Sequence, residues 1–298
     1  MGISAHSAVS NPAPGRPLQA IGATGAVLAL AILAASVLLR LTTVFDAAGQ
    51  AISTLPAAVE SATRLVHRLA ASGVGVLALS AAILCWMRRR SAAGALRPTV
   101  WIAVATIVLA VIGPLTPGYK FAAVTVANVV GGMVLLMSCW WLRESLAFPV
   151  PGRAARDPLL VTAFFVLLLH AGSGAAASAF EMRGIRLAAF VHVGTAMLAT
   201  MFVGAVLWER RGCEGQARTV GATTLLLTAQ LILGLATMWI DPRPVWMGFV
   251  HAMLSLLFAC GLVSVAVRTP GHWPDRVLRR GAPAARPGPG SAPTCPRP

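Results

Sequence analysis

The sequence predicts an all-α integral membrane protein with eight transmembrane helices arranged as two tandem, pseudo-symmetric four-helix bundles. Three observations predict it. Of 298 residues, 57% are hydrophobic and 11% charged, against roughly 25% charged in a soluble domain, and the mean hydropathy is +0.77. Apolar runs long enough to cross about 30 Å of hydrocarbon, which takes roughly 20 helical residues, recur along the whole chain. The second half also echoes the first, as a tandem repeat would. This composition excludes a disulfide scaffold, a collagen-like chain and a disordered protein.

The eight runs are 20–40, 59–87, 99–117, 121–142, 158–180, 187–208, 218–240 and 245–267. The first is too long, too deep in the chain and too poorly matched to a small-residue cleavage site for a signal peptide, so it reads as a helix. Residues 1–18 and the Pro-, Gly- and Arg-rich residues 269–298 cannot bury a core and are expected to be disordered cytoplasmic segments. The halves are then 19–145 and 146–268.

Orientation follows from the basic residues, because Lys and Arg accumulate in cytoplasmic loops. Arg88, Arg89, Arg90 and Arg97 follow the second run, Arg143, Arg153 and Arg156 the fourth, Arg210, Arg211 and Arg218 the sixth, and Arg268, Arg276, Arg279 and Arg280 the eighth. Both termini are therefore expected to be cytoplasmic, in a multi-pass protein of the cell membrane. The net charge of +15 is spent on these loops, which disfavours nucleic acid as a partner. The outer loops hold fewer cations: Arg40, Arg64, Arg68, Lys120, Arg183, Arg186 and Arg243.

The repeat is visible in IVLAVIGPLTPGYKFAAVTVANVVGGMVLL (107–136) and QLILGLATMWIDPRPVWMGFVHAMLSLL (230–257): an apolar helix, a Gly, a Pro-containing loop and a second apolar helix. The second and sixth runs likewise each carry a His in their first turns, followed by small residues that permit close helix packing. Cys85, Cys139, Cys213, Cys260 and Cys295 form no CxxC or CxxCH, so neither a zinc site nor a covalent c-type haem is signalled.

Ionisable groups inside a membrane are expensive and mark function by default. His67, His170, His192 and His251 lie in the runs. Neutral imidazole is an axial ligand of haem iron, and two imidazoles facing each other between helices make a six-coordinate site. His192 and His251 come from equivalent places in helices six and eight, so the repeat predicts that they converge. Arg40, Arg64, Arg68, Arg183, Arg186 and Arg243 are then candidates to bind haem propionates by charge-assisted bonds, with snorkelling interfacial anchors as the competing reading. His170 has no repeat partner and lies nearer mid-membrane, so it reads as a packing or hydrogen-bonding residue.

LLRLTTV (38–44), VHRLAASGVGVLAL (66–79), AQLILGLAT (229–237) and GFVHAMLSLLF (248–258), in this order on eight helices, resemble the haem A synthase family of cytochrome oxidase assembly proteins over roughly residues 20–267. The resemblance implies a b-type haem in the carboxyl-terminal half and a substrate haem O in the amino-terminal half, whose C8 methyl group is oxidised toward haem A. It implies that His192 and His251 hold the haem b iron and that His67 stands on the substrate side. Two positions depart from the family: Asn128 stands where a fourth His is expected, and Arg64 where a catalytic Glu precedes the first His. Glu60, seven residues before His67 and on the same helical face, is the carboxylate that could substitute for it. The outer loop VFDAAGQAISTLPA (44–57) lacks the cysteine pair that several members carry, and its Asp46 reads as a solvated loop residue.

An oxidoreductase is therefore expected. The alternatives are a haem-binding carrier, electron-transfer or assembly protein without synthase activity and, more distantly, a small-molecule transporter. Partners implied by the resemblance are haem O synthase and cytochrome oxidase assembly factors; the bilayer surrounds the chain, and a homo-oligomer stays open.

Overall fold

Proline and carboxylate caps set several helix starts in a chain that is otherwise apolar. Asp157 Oδ1 accepts the backbone N–H groups of Leu159 and Leu160, at 3.0 and 3.3 Å, and so caps a helix opening at Pro158. The computed structural model describes residues 15–46, 50–88, 93–115, 122–148, 157–181, 187–213, 215–240 and 244–268. Its helices are α1 (Arg16–Leu41), α2 (Ala57–Met87), α3 (Leu96–Ile112), α4 (Ala122–Ala147), α5 (Pro158–Glu181), α6 (Leu187–Arg210), α7 (Ala217–Trp239) and α8 (Val245–Arg268). Among the described residues, 8 helices are long and apolar enough to cross a membrane, matching the eight apolar runs in number and order.

Three local expectations are corrected. Helix α1 begins at Arg16, inside the segment expected to be disordered, because Pro17 suits a first helical turn. The boundary between halves at 145/146 falls inside the last turn of α4. The loop between α1 and α2 carries an antiparallel hairpin, β1 (Thr43–Phe45) and β2 (Ala51–Ser53), with Val44 opposite Ile52. Asp46 is part of its frame: its Oδ1 accepts the Gln50 N–H at 2.7 Å. The remainder of residues 1–18, residues 269–298 and the loop residues Lys120, Arg183, Arg186 and Arg243 lie outside the described residues.

Consecutive helices pair as hairpins, α1 with α2, α3 with α4, α5 with α6 and α7 with α8, and α1 also lies along α4. Glycine allows that approach. A Cβ at Gly22 would stand 2.7 Å from the backbone nitrogen of Arg143, and one at Gly132 2.7 Å from the Leu33 side chain, so small residues bring the two backbones together. Leu18, Met133, Leu136, Leu142 and Leu262 fill the core.

The two halves are not separate bundles. Helix α4 touches α5 and α8 as well as α1 and α3. At its end the Glu144 carboxylate, fully buried, pairs with Arg143 and accepts from Arg268 Nε of α8 at 2.8 Å. Arg268 also donates to Thr219 Oγ1 of α7 at 3.0 Å. A buried carboxylate persists only with such partners. By contrast, α5 and α8 barely touch, and the α5–α6 and α7–α8 hairpins meet only lightly. The carboxyl-terminal half is thus splayed between its hairpins.

Candidate functional site

Polar groups gather at that splay. On the α5–α6 side, His170 and His192 stack with ring centroids 4.3 Å apart and planes 8° from parallel. Their hydroxyl neighbours are Ser173 and Thr195, each one turn beyond a His and both buried. Ser173 Oγ donates to the His170 carbonyl at 2.8 Å, and Thr195 Oγ1 to the His192 carbonyl at 2.9 Å. The two hydroxyls also lie 2.7 Å apart. Three contacts therefore draw on two hydroxyl protons, leaving none for an imidazole. His192 Nδ1, 3.2 Å from Ser173 Oγ, and His170 Nδ1, 3.4 Å from Thr195 Oγ1, are accordingly the N–H donors. This assigns the lone pair to Nε2 in both rings, the tautomer of a metal-binding His that is oriented through its other nitrogen.

On the α7–α8 side, His251 Nε2 lies 3.1 Å from Gln230 Nε2, and Gln230 also bonds to Ser255 Oγ. Ser255 Oγ in turn donates to the His251 carbonyl at 3.2 Å. The two sides face each other: the His192 and His251 ring centroids are 6.4 Å apart, their planes 86° from parallel.

Glycines make room for both rings. A Cβ at Gly174 of α5 would stand 2.8 Å from His192 Cε1, and a Cβ at Gly234 of α7 would stand 3.1 Å from His251 Cε1. Each imidazole therefore lies against bare backbone of the helix preceding its own.

These residues fit a haem iron. Metal–nitrogen bonds of about 2.0 Å on either side place two imidazoles roughly 6 Å apart centre to centre, and rings sharing an axis are free to rotate about it. Among the described residues no group of three or more His, Cys, Asp or Glu is placed to hold a metal ion. Two imidazoles fall short of the protein ligand set of a bare ion and suit a metal that arrives within a macrocycle and needs only axial ligands.

The amino-terminal half is built differently. His67 of α2 faces Ser36 of α1, with Nδ1 and Oγ 3.5 Å apart, the same residue pair between first and second helices as Ser173 and His192. Asn128 of α4 is partly buried. No hydroxyl stands one turn beyond His67 or Asn128; Ala70, Ala71, Gly131 and Gly132 occupy those places. Glu60 does not fill the expected catalytic place. Its Oε1 accepts from Arg64 Nε at 2.9 Å and Nη2 at 2.6 Å, an i,i+4 ion pair on the outside of α2, and the seven-residue rise to His67 is about 10 Å. Arg68 is exposed and Arg40, in the last turn of α1, is half-buried.

The expected depth difference between His170 and His192 is absent. Helix α5 runs eleven residues beyond His170 whereas α6 begins five residues before His192, and this unequal overhang brings the rings level. Sequence reasoning also missed Ser173, Thr195, Gln230 and Ser255. A signal existed for three of them: HAGS, HVGT and HAMLS each put a hydroxyl one helical turn after a His. Compared with protein-family models and with curated proteins, the chain matches none.

Proposed function

We propose that this chain is a multi-pass membrane oxidoreductase of the haem A synthase type, holding a b-type haem between His192 and His251. The observation that carries the reading is the 6.4 Å approach of these two rings across the splayed α5–α6 and α7–α8 hairpins. Polar clusters of this kind among apolar helices mark function, and the bound haem would supply one-electron chemistry. The chain's own contribution is to hold His192 through Ser173 and to seat both rings on glycine backbone.

Placement in the bilayer is supported by exposed aromatics. Trp86, Trp101 and Trp208 stand near the Arg-rich ends, and Trp239 and Trp246 at the opposite ends, like the two aromatic belts of a membrane protein. From Arg218 to Trp239 along α7 is about 31 Å, close to the hydrocarbon thickness. The Arg-rich ends are read as cytoplasmic, and the two halves as tandem repeats. The substrate side, by resemblance, is the amino-terminal half with His67, where haem O would be oxidised at its C8 methyl.

A second reading has its own observation. Glu60, the carboxylate expected to serve His67, is engaged in an ion pair with Arg64, and Asn128 is a weak iron ligand. Both favour a haem carrier or electron-transfer protein without synthase chemistry.

One experiment tests both. Protein purified from cells that make haem O is examined by visible spectroscopy and pigment extraction, alongside His251→Ala. A low-spin b-type spectrum lost in the variant, with haem A or hydroxylated haem O extracted from the parent, is the outcome expected of a synthase. Haem b alone supports the carrier, and absence of haem overturns both.

A further inference from the structure

The two facing histidines are held by opposite ends of their rings. His192 is fixed through Nδ1, at the back of the imidazole, by Ser173. His251 is held through Nε2, at the tip, by the Gln230 amide. Gln230 is only 7% exposed, and its Oε1 is buried with no hydrogen-bond partner among the described residues.

An amide seated on a ring nitrogen occupies it in either orientation. With its nitrogen end toward the ring it donates into the Nε2 lone pair; turned over, its oxygen accepts a proton that Nε2 must then carry. In both cases Nε2 has no lone pair to offer a metal. His192 is thus arranged for coordination, while His251 is capped.

We propose that Gln230 is a positioning residue that caps His251 in the ligand-free site and is displaced when a metalloporphyrin is taken up, a proposal that rests on the haem reading above. Uptake then couples coordination at His251 to release of the Gln230–Ser255 bond. The cap satisfies Nε2 of a half-buried imidazole, so it stabilises the ligand-free state at the expense of the loaded one. Removing it takes the Gln230 hydrogen bond away from His251 Nε2 before loading. Haem affinity should rise in consequence.

The test is titration of ferric haem b into haem-free full-length protein in lipid nanodiscs, followed by its Soret band, for the parent, Gln230→Leu and Gln230→Met. Met keeps the length and flexibility of the side chain, and size-exclusion profiles establish that each variant is folded. About fivefold tighter binding is expected, the equivalent of one neutral hydrogen bond, with an unchanged low-spin band and faster labelling of His251 by diethyl pyrocarbonate in the haem-free state. Unchanged or weaker affinity in a folded variant overturns the cap. In the parent, the ¹⁵N resonance of His251 Nε2 must report a hydrogen bond before loading; a free nitrogen there overturns it without any variant. A parent that shows no low-spin band at all instead overturns the haem reading, and the proposal with it.

Discussion

Ser173 contributes more to the site than its size suggests. Its Oγ touches the His170 carbonyl, Thr195 Oγ1 and His192 Nδ1 at 2.8, 2.7 and 3.2 Å, so it links α5 to α6 and sets which nitrogen of His192 carries the proton. Groups that orient a metal-binding His through its second nitrogen typically matter 10- to 100-fold in affinity. Ser173→Ala is therefore expected to weaken ferric haem binding by at least about tenfold while leaving the helical circular dichroism unchanged. Binding of parental strength in the variant would remove Ser173 from the site. At this scale the sequence was partly legible. A His in an apolar run is conspicuous because ionisable groups are costly there, and Ser173, Thr195 and Ser255 were readable as hydroxyls one turn after each His. Gln230 was not, since it lies on another helix from the His it contacts and no spacing rule joins them. The ion pair of Glu60 with Arg64 was readable from its i,i+4 spacing.

Helices were the most legible elements, because a continuous apolar run of about 20 residues has few other uses. Their ends were less so. Helix α4 runs on through Glu144 to Ala147 because that carboxylate finds Arg268 on α8, a partner 124 residues away. The β1–β2 hairpin was missed for another reason: three-residue strands carry too little alternation to stand out. Between elements, the site depends on the fit of α5 against α6. Gly174 leaves the space in which His192 lies, and a Cβ there would meet Cε1 at 2.8 Å, closer than carbon atoms pack. Gly174→Ala is therefore expected to push the imidazole off its stack with His170 and out of line with His251. The reading is a loss of low-spin haem from the purified protein, with thermal stability changed by no more than about 1–3 kcal/mol, as for modest overpacking. Retention of a parental spectrum in this variant would show that the ring does not need that seat.

At the scale of the whole molecule the two halves divide their properties unequally. Along the amino-terminal half, α1 and α4 approach so closely that a Cβ at Gly22 would run into backbone atoms of Cys139 and Arg143, and His67 faces Ser36. In the carboxyl-terminal half the corresponding helices α5 and α8 stand apart, and His192 of α6 and His251 of α8 face each other with their hydroxyl and amide partners. A tandem repeat read from sequence suggests two like sites; what breaks the likeness is Asn128 in place of a His and the absence of hydroxyls one turn after His67 and Asn128. Helix-to-helix distances of this kind do not follow from hydropathy, which is why the unequal packing was not legible beforehand although the unequal residues were. The consequence is stoichiometric. Protein saturated with haem b should carry one tightly bound haem per chain, measured by pyridine haemochrome against amino-acid analysis. His67→Ala should leave that ratio and the low-spin spectrum unchanged, whereas His192→Ala should abolish both. Two haems per chain, or a low-spin band that falls with His67, would place a second iron in the amino-terminal half and require ligands there other than the His pair that the carboxyl-terminal half provides.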